Sequence, residues 1–89
     1  MYHHPVQEGA GTYNDGTKFW CRYGLLHRED GPAIEYLNGT KRWYVNGLRH
    51  RTDGPAVIKS DGTKQWFLAN VEYTCVEWML KIYEMSDGG

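Results

Sequence analysis

Short runs of apolar residues alternate with polar ones along this chain, and nearly every run closes on a turn dipeptide. Residues 41–45 (KRWYV) are rich in aromatic and β-branched side chains and lead into Asn46-Gly47, the strongest short-range hairpin signal. Residues 33–37 (AIEYL) and 56–60 (AVIKS) read as second strands, closed by Asn38-Gly39 and Asp61-Gly62, pairs that tolerate positive φ. The whole pattern returns. GTKFWCRYGLLHREDGPAIEYLN from Gly16 is followed by GTKRWYVNGLRHRTDGPAVIKSD from Gly39 and GTKQWFLANVEY from Gly62, an offset of 23 residues that aligns Trp20, Trp43 and Trp66. A fixed period of this size predicts one small supersecondary unit stacked on copies of itself, because each unit alone cannot bury its apolar face. The expected fold is mainly β: an antiparallel meander of β-hairpin repeats, about six strands in all, capped by one C-terminal α-helix.

The chain divides accordingly within a single domain. Residues 1–15 form a degenerate half-repeat, with His4 aligned to His27, Ala10 to Ala33 and Tyr13 to Tyr36, and are expected to add a ragged edge strand. Residues 16–38 and 39–61 are full repeats, and 62–73 a partial third. The turn dipeptide weakens along the series: Tyr23-Gly24 and Ala69-Asn70 stand where the second repeat has Asn46-Gly47. After residue 73 the pattern changes. Thr74 and Glu77 have the spacing of a capping box, and Val76, Met79, Leu80 and Tyr83 follow at helical intervals. This predicts a helix over residues 74–85, its apolar stripe folded onto the last repeat, and a loose tail over 86–89.

Composition explains how so short a chain can fold. Of its 89 residues 15% are aromatic, including four Trp and seven Tyr, which supply large apolar area with few rotatable bonds. The formal net charge of −1 argues against nucleic acid as the main partner, since phosphate binding needs clustered, uncompensated cations. Cys21 and Cys75 have no metal-site spacing, and Cys21 aligns with Tyr44 and Phe67 as an apolar filler. A reducing cytoplasm is therefore the expected compartment. The chain shows no signal-peptide pattern and no apolar run long enough to span a membrane, so no membrane partner is expected.

Between the strands lies HRxDGPA, at His27–Ala33 and His50–Ala56. His27 with Asp30, and His50 with Asp53, could serve as base and orienter or as metal ligands. Duplication argues for a structural role, because a turn needed by every repeat must be copied with it whereas an active site need not be. His27, Arg28, Asp30, Gly31, Pro32 and their counterparts His50, Arg51, Asp53, Gly54, Pro55 are thus assigned to turn-locking, with no catalytic residue, metal or cofactor. Trp20, Trp43 and Trp66 are assigned to a core ladder rather than a stacking platform for ligands. The Lys of each Gly-Thr-Lys reads as a solvated position, since no phosphate-loop motif surrounds it. His3-His4 carries no further information.

With these motifs laid out, the chain resembles the MORN-variant repeats of the "HREDGPA" type found in proteins of tailed phages and giant viruses. The resemblance covers residues 12–73 and implies a β-hairpin repeat fold and a binding, non-enzymatic role. Positions shared between repeats then serve the fold, and positions that differ are free for a partner. Phe19, Tyr23 and Leu26 are apolar where the second repeat has Arg42, Asn46 and Arg49; with Arg22 they compose an apolar patch flanked by arginines, as in protein-binding hot spots. Packing of the first repeat against the half-repeat, or against a second copy in a homodimer, is the plainer alternative. The viral distribution of the family implies a phage protein acting on a host protein, for example as an anti-CRISPR-like inhibitor of a bacterial immune effector. Alternatives are a binder of nucleotide signals, with aromatic rings on the base and Arg28, Arg49 or Arg51 on the phosphates, and an enzyme using His50 and Asp53.

Overall fold

The computed structural model describes residues 8–87. They form ten antiparallel strands and one helix: β1 (Glu8–Thr12), β2 (Lys18–Arg22), β3 (Leu25–Leu26), β4 (Ile34–Glu35), β5 (Lys41–Arg42), β6 (Tyr44–Val45), β7 (Leu48–Arg49), β8 (Val57–Ile58), β9 (Lys64–Leu68), β10 (Val71–Tyr73) and α1 (Cys75–Asp87). The main sheet runs β1-β2-β4-β5-β8-β9-β10, with β3 also on β2, and β6 pairs with β7 as a separate ribbon. The fold is mainly β with a C-terminal helix. The edge strand expected from the half-repeat is β1, in register with β2 from Glu8↔Arg22 to Thr12↔Lys18; His3 and His4 lie outside the described residues.

More strands appear than the six expected, because the hairpin return arms Leu25–Leu26, Leu48–Arg49 and Val71–Tyr73 pair as strands of their own and one long strand divides at Trp43. Trp43 donates its amide to the Ala56 carbonyl at 2.7 Å and accepts from the His50 amide at 3.2 Å. Those bonds point to different neighbours, so residues 41–42 stay in the sheet and 44–45 leave with the hairpin. Trp20 forks in the same way, donating to Ala33 O at 2.9 Å and accepting from His27 N at 3.1 Å. There β1 runs alongside the whole of β2, and the strand stays unbroken. The second strands shrink to two residues each, because Tyr36 and Lys59 already close the next turn onto Thr40 and Thr63.

Those turns explain the Asn/Asp-Gly-Thr spelling. Asp15, Asn38 and Asp61 each accept the amide two residues on at 2.9 Å, and the intervening Gly16, Gly39 and Gly62 sit at φ of 93°, 98° and 92°. At the hairpin tips both central residues have positive φ whatever the sequence: Tyr23-Gly24, Asn46-Gly47 and Ala69-Asn70. This geometry matches the strand twist. It is strained for Ala69 at φ 49°, since a Cβ there crowds the following carbonyl by about 1–2 kcal/mol. Ala69→Gly is accordingly expected to stabilise the fold by roughly 0.5–1 kcal/mol, after allowing for the freer unfolded chain. An unchanged or lower urea midpoint would count against the strain.

The core is thin. Ala33 and Ala56 are fully buried, joined by Val57, Phe67, Leu68 and Trp78. Trp20, Trp43 and Trp66 are half-buried, and Trp43 packs against the cluster of Ala56, Val57 and Phe67. Among the described residues no second sheet covers the three tryptophans. Arg28 roofs Trp20 and Arg51 roofs Trp43, each guanidinium 3.8 Å from the ring centroid, and Trp78 of α1 lies on Trp66 with centroids 4.8 Å apart.

The helix begins as the capping box predicts: Thr74 N donates to Glu77 Oε1 at 3.0 Å, and Glu77 N to Thr74 Oγ1 at 3.1 Å. It extends two residues beyond the expected end. Its packed face is not the expected one. Val76, Met79, Leu80 and Tyr83 are 53–69% exposed, whereas Trp78 is 7% exposed. Trp78 offers the largest apolar area on the helix, and its indole N–H needs an acceptor when buried. Arg51 O supplies one at 3.0 Å, which sets the rotation of the helix. Among the described residues no helix is long and apolar enough to cross a membrane.

Candidate protein-binding face

The two faces of the sheet differ in how their polar groups are committed. One carries the HRxDGPA segments. Arg28 donates Nε to Asp30 Oδ1 at 2.9 Å and Nη1 to Pro32 O at 3.2 Å, with Glu35 Oε2 at 3.4 Å. Arg51 repeats this, with Asp53 Oδ1 at 2.7 Å and Pro55 O at 3.0 Å. The glycines make room: a Cβ on Gly31 would lie 3.0 Å from Arg28 Cζ, and one on Gly54 2.8 Å from Arg51 Cζ. Each guanidinium is thus a plank between a tryptophan ring and a bare backbone. The hydrogen bonds from Arg28 and Arg51 hold the Asp30 and Asp53 carboxyls below the ordinary carboxylate value.

The histidines bind the next turn along. His27 Nδ1 accepts the Asn46 amide at 3.0 Å, and His50 Nδ1 accepts the Ala69 amide at 2.9 Å. An imidazole that accepts at Nδ1 carries its proton at Nε2. His27 Nε2–H therefore donates to Glu29 Oε2 at 3.2 Å, the same oxygen that accepts from Arg22 Nη1 at 3.2 Å. Neither Asp30 nor Asp53 orients a histidine, since each is bonded to its arginine. Among the described residues no three of His, Cys, Asp and Glu are grouped to hold a metal ion. Open clefts of about 680 and 670 Å³ lie along this face, and their walls are these same engaged side chains. Lys18, Lys41 and Lys64 are exposed beside them.

The opposite face is built differently. Cross-strand partners share a face, so one row runs Phe19–Ile34–Arg42–Val57–Gln65. A second row contains Leu26, Arg49 and Glu72, opposite Cys21, Tyr44 and Phe67. Gln65 Nε2 donating to Glu72 Oε2 at 3.3 Å ties the rows together. Of the six residues assigned to the patch, Phe19, Leu26, Arg42 and Arg49 therefore lie together. Tyr23 sits at a hairpin tip, 66% exposed. Arg22 does not join them. The pleat turns it to the other face, with Trp20, where it pairs with Glu29.

Phe19 stacks on Tyr13 at 4.7 Å above Gly11, where a Cβ would come within 2.5 Å of the ring. Arg49 lies 4.3 Å over Phe67 and donates Nε to Asn70 Oδ1 at 2.9 Å. Arg42 lies 5.6 Å from the Tyr36 ring centroid, and its Nε is buried with no hydrogen-bond acceptor among the described residues. Arg22, Arg28 and Arg51 each hold a carboxylate, whereas Arg42 and Arg49 have no ion pair among the described residues. The roles of Arg28 and Arg51 as roofs, and of Trp78, escaped the sequence reading. The constant interval from Trp20 to Arg28 and from Trp43 to Arg51 was the available signal. Compared with protein-family models, curated proteins and solved structures, the chain matches none.

Proposed function

We propose that this chain is a non-enzymatic protein-binding module built from tandem 23-residue hairpin repeats, and that Phe19, Leu26, Arg42 and Arg49 form its contact face. The repeat reading is supported by bonds that recur at the same offset: Trp20 to Ala33 and Trp43 to Ala56, Asn46 to His27 and Ala69 to His50. The binding reading rests on one observation above all: among the described residues two guanidiniums stand without carboxylates beside half-buried and buried apolar side chains, while the other arginines are paired. Arginine next to aromatic side chains is the composition of interface hot spots. The motif face supports a scaffold role instead, its donors and acceptors being engaged within the fold. The resemblance to MORN-variant repeats extends the proposal to a phage-encoded inhibitor of a host protein, with bacterial immune effectors the class to try first.

The test is affinity capture from lysate of cells in which the gene occurs, read by mass spectrometry. Three baits are compared: the wild type, Arg42→Glu/Arg49→Glu, and a control with Lys18, Lys41 and Lys64 changed to Ser on the other face. A protein captured stoichiometrically by the first and third but lost from the second supports the contact face. Equal capture by all three overturns it.

A further inference from the structure

We infer that the partner presents an acidic segment whose carboxylates are received by Arg42 and Arg49, with an apolar side chain alongside for Phe19 and Leu26; this rests on the protein-binding reading above. Arg42 already holds its Nε–H out of water without an acceptor. A group in that condition gains from any acceptor brought to it, because its desolvation is already spent. A guanidinium presents a planar fork that matches a carboxylate in two parallel bonds. The Arg49 fork lies 4.3 Å over Phe67 and is tied to Asn70, and that of Arg42 lies 5.6 Å from the Tyr36 ring, so both have aromatic neighbours before a partner arrives. Preorganised donors lose less freedom on binding. Phe19 and Arg42 are separated by β4 alone, about 9.5 Å at roughly 4.8 Å per strand. One segment can reach both.

A second copy of this chain does not fit the same face. A two-fold contact sets each patch against itself. Arg42, on β5 between β4 and β8, sits in the middle of the sheet, so it would meet Arg42 of the other copy, like charge on like, with Arg49 of the β6-β7 ribbon adding a further positive charge on each side. A nucleic acid fits less well too, since the face ends in Glu72 and the chain has a net charge of −1.

The experiment follows arginine Nε–Hε resonances of the full chain by NMR. Glutarate, a dicarboxylate, is titrated at constant ionic strength set by chloride, with inorganic phosphate as a second arm. Saturable shifts of Arg42 and Arg49 with glutarate are expected, with Arg28 and Arg51 unmoved. Arg49→Gln should weaken the Arg42 response several-fold while leaving the Trp78 indole resonance in place. Shifts equal to those in chloride, or a response to phosphate alone, overturn the inference. If capture from lysate depends on Arg42 and Arg49 yet glutarate moves neither resonance, the contact face stands and the acidic partner falls. If glutarate binds yet capture ignores the Arg42→Glu/Arg49→Glu change, the contact face falls and the inference with it.

Discussion

Trp78→Ala is expected to leave the domain unfolded or barely folded at room temperature. The indole is 7% exposed, lies on Trp66 at 4.8 Å and donates to Arg51 O at 3.0 Å. Removing a buried tryptophan costs about 3–5 kcal/mol. Domains are stable by roughly 0.05–0.15 kcal/mol per residue, and a thin core puts this 89-residue chain at the low end, about 4–5 kcal/mol, so the loss is comparable to the whole. The damage also reaches beyond the cavity. Trp66 loses its cover, and the helix loses its only buried large side chain among the described residues. Trp78→Phe separates the contributions: it keeps a ring on Trp66 and leaves Arg51 O without its donor, for a loss nearer 1–3 kcal/mol. Leu80→Ser is the control for which face packs. Leu80 is 58% exposed, and its replacement should stay within about 0.5 kcal/mol. Urea unfolding followed by tryptophan fluorescence measures all three. A stable Trp78→Ala beside a crippled Leu80→Ser would reverse the assigned orientation of the helix.

The second large effect is expected at Arg51. Its guanidinium roofs Trp43 at 3.8 Å, bonds Asp53 and Pro55 O, and is 20% exposed. Arg51→Ala uncovers the ring and leaves Pro55 O without its donor, while the exposed Asp53 returns to water, a loss of about 2 kcal/mol given the usual worth of a hydrogen bond from a charged group and a partly buried cation–π contact. Lysine should recover little of it, lacking the flat fork that reaches Asp53 and Pro55 O together. Gly54→Ala should cost about 1–3 kcal/mol by another route, because its Cβ, 2.8 Å from Arg51 Cζ, forces the guanidinium off the ring. Both changes break one stack, so the double variant should lose clearly less than the sum of the singles. Additive losses would mean that the glycine serves something other than the arginine.

Several features were legible before any coordinates, and they are the local ones. The Asn/Asp-Gly-Thr turns, the Asn46-Gly47 tip and the Thr74–Glu77 capping box each involve residues within three of one another, so there the residue types carry the geometry, whereas Tyr23 and Ala69 take positive φ only because the hairpin imposes it. The antiparallel, mainly β character followed from the same turns. The forks at Trp20 and Trp43 were not legible, since they depend on amides of one strand choosing between two neighbours distant in the chain.

The two corrected assignments share one cause. A helical period marks which residues could form a packed stripe, but the stripe of Val76, Met79, Leu80 and Tyr83 competes with Trp78, and only the positions of Trp66 and Arg51 O decide the winner. Likewise, Arg22 was grouped with the residues that vary between repeats, yet pleating sends it to the opposite face, and among the described residues Arg42 and Arg49 are left without carboxylates. Sequence chemistry sets what each short segment can do, because those energies act over a few bonds. Which surfaces are covered, and by whom, depends on packing across space, and over Trp20, Trp43 and Trp66 two arginines and one tryptophan supply that cover.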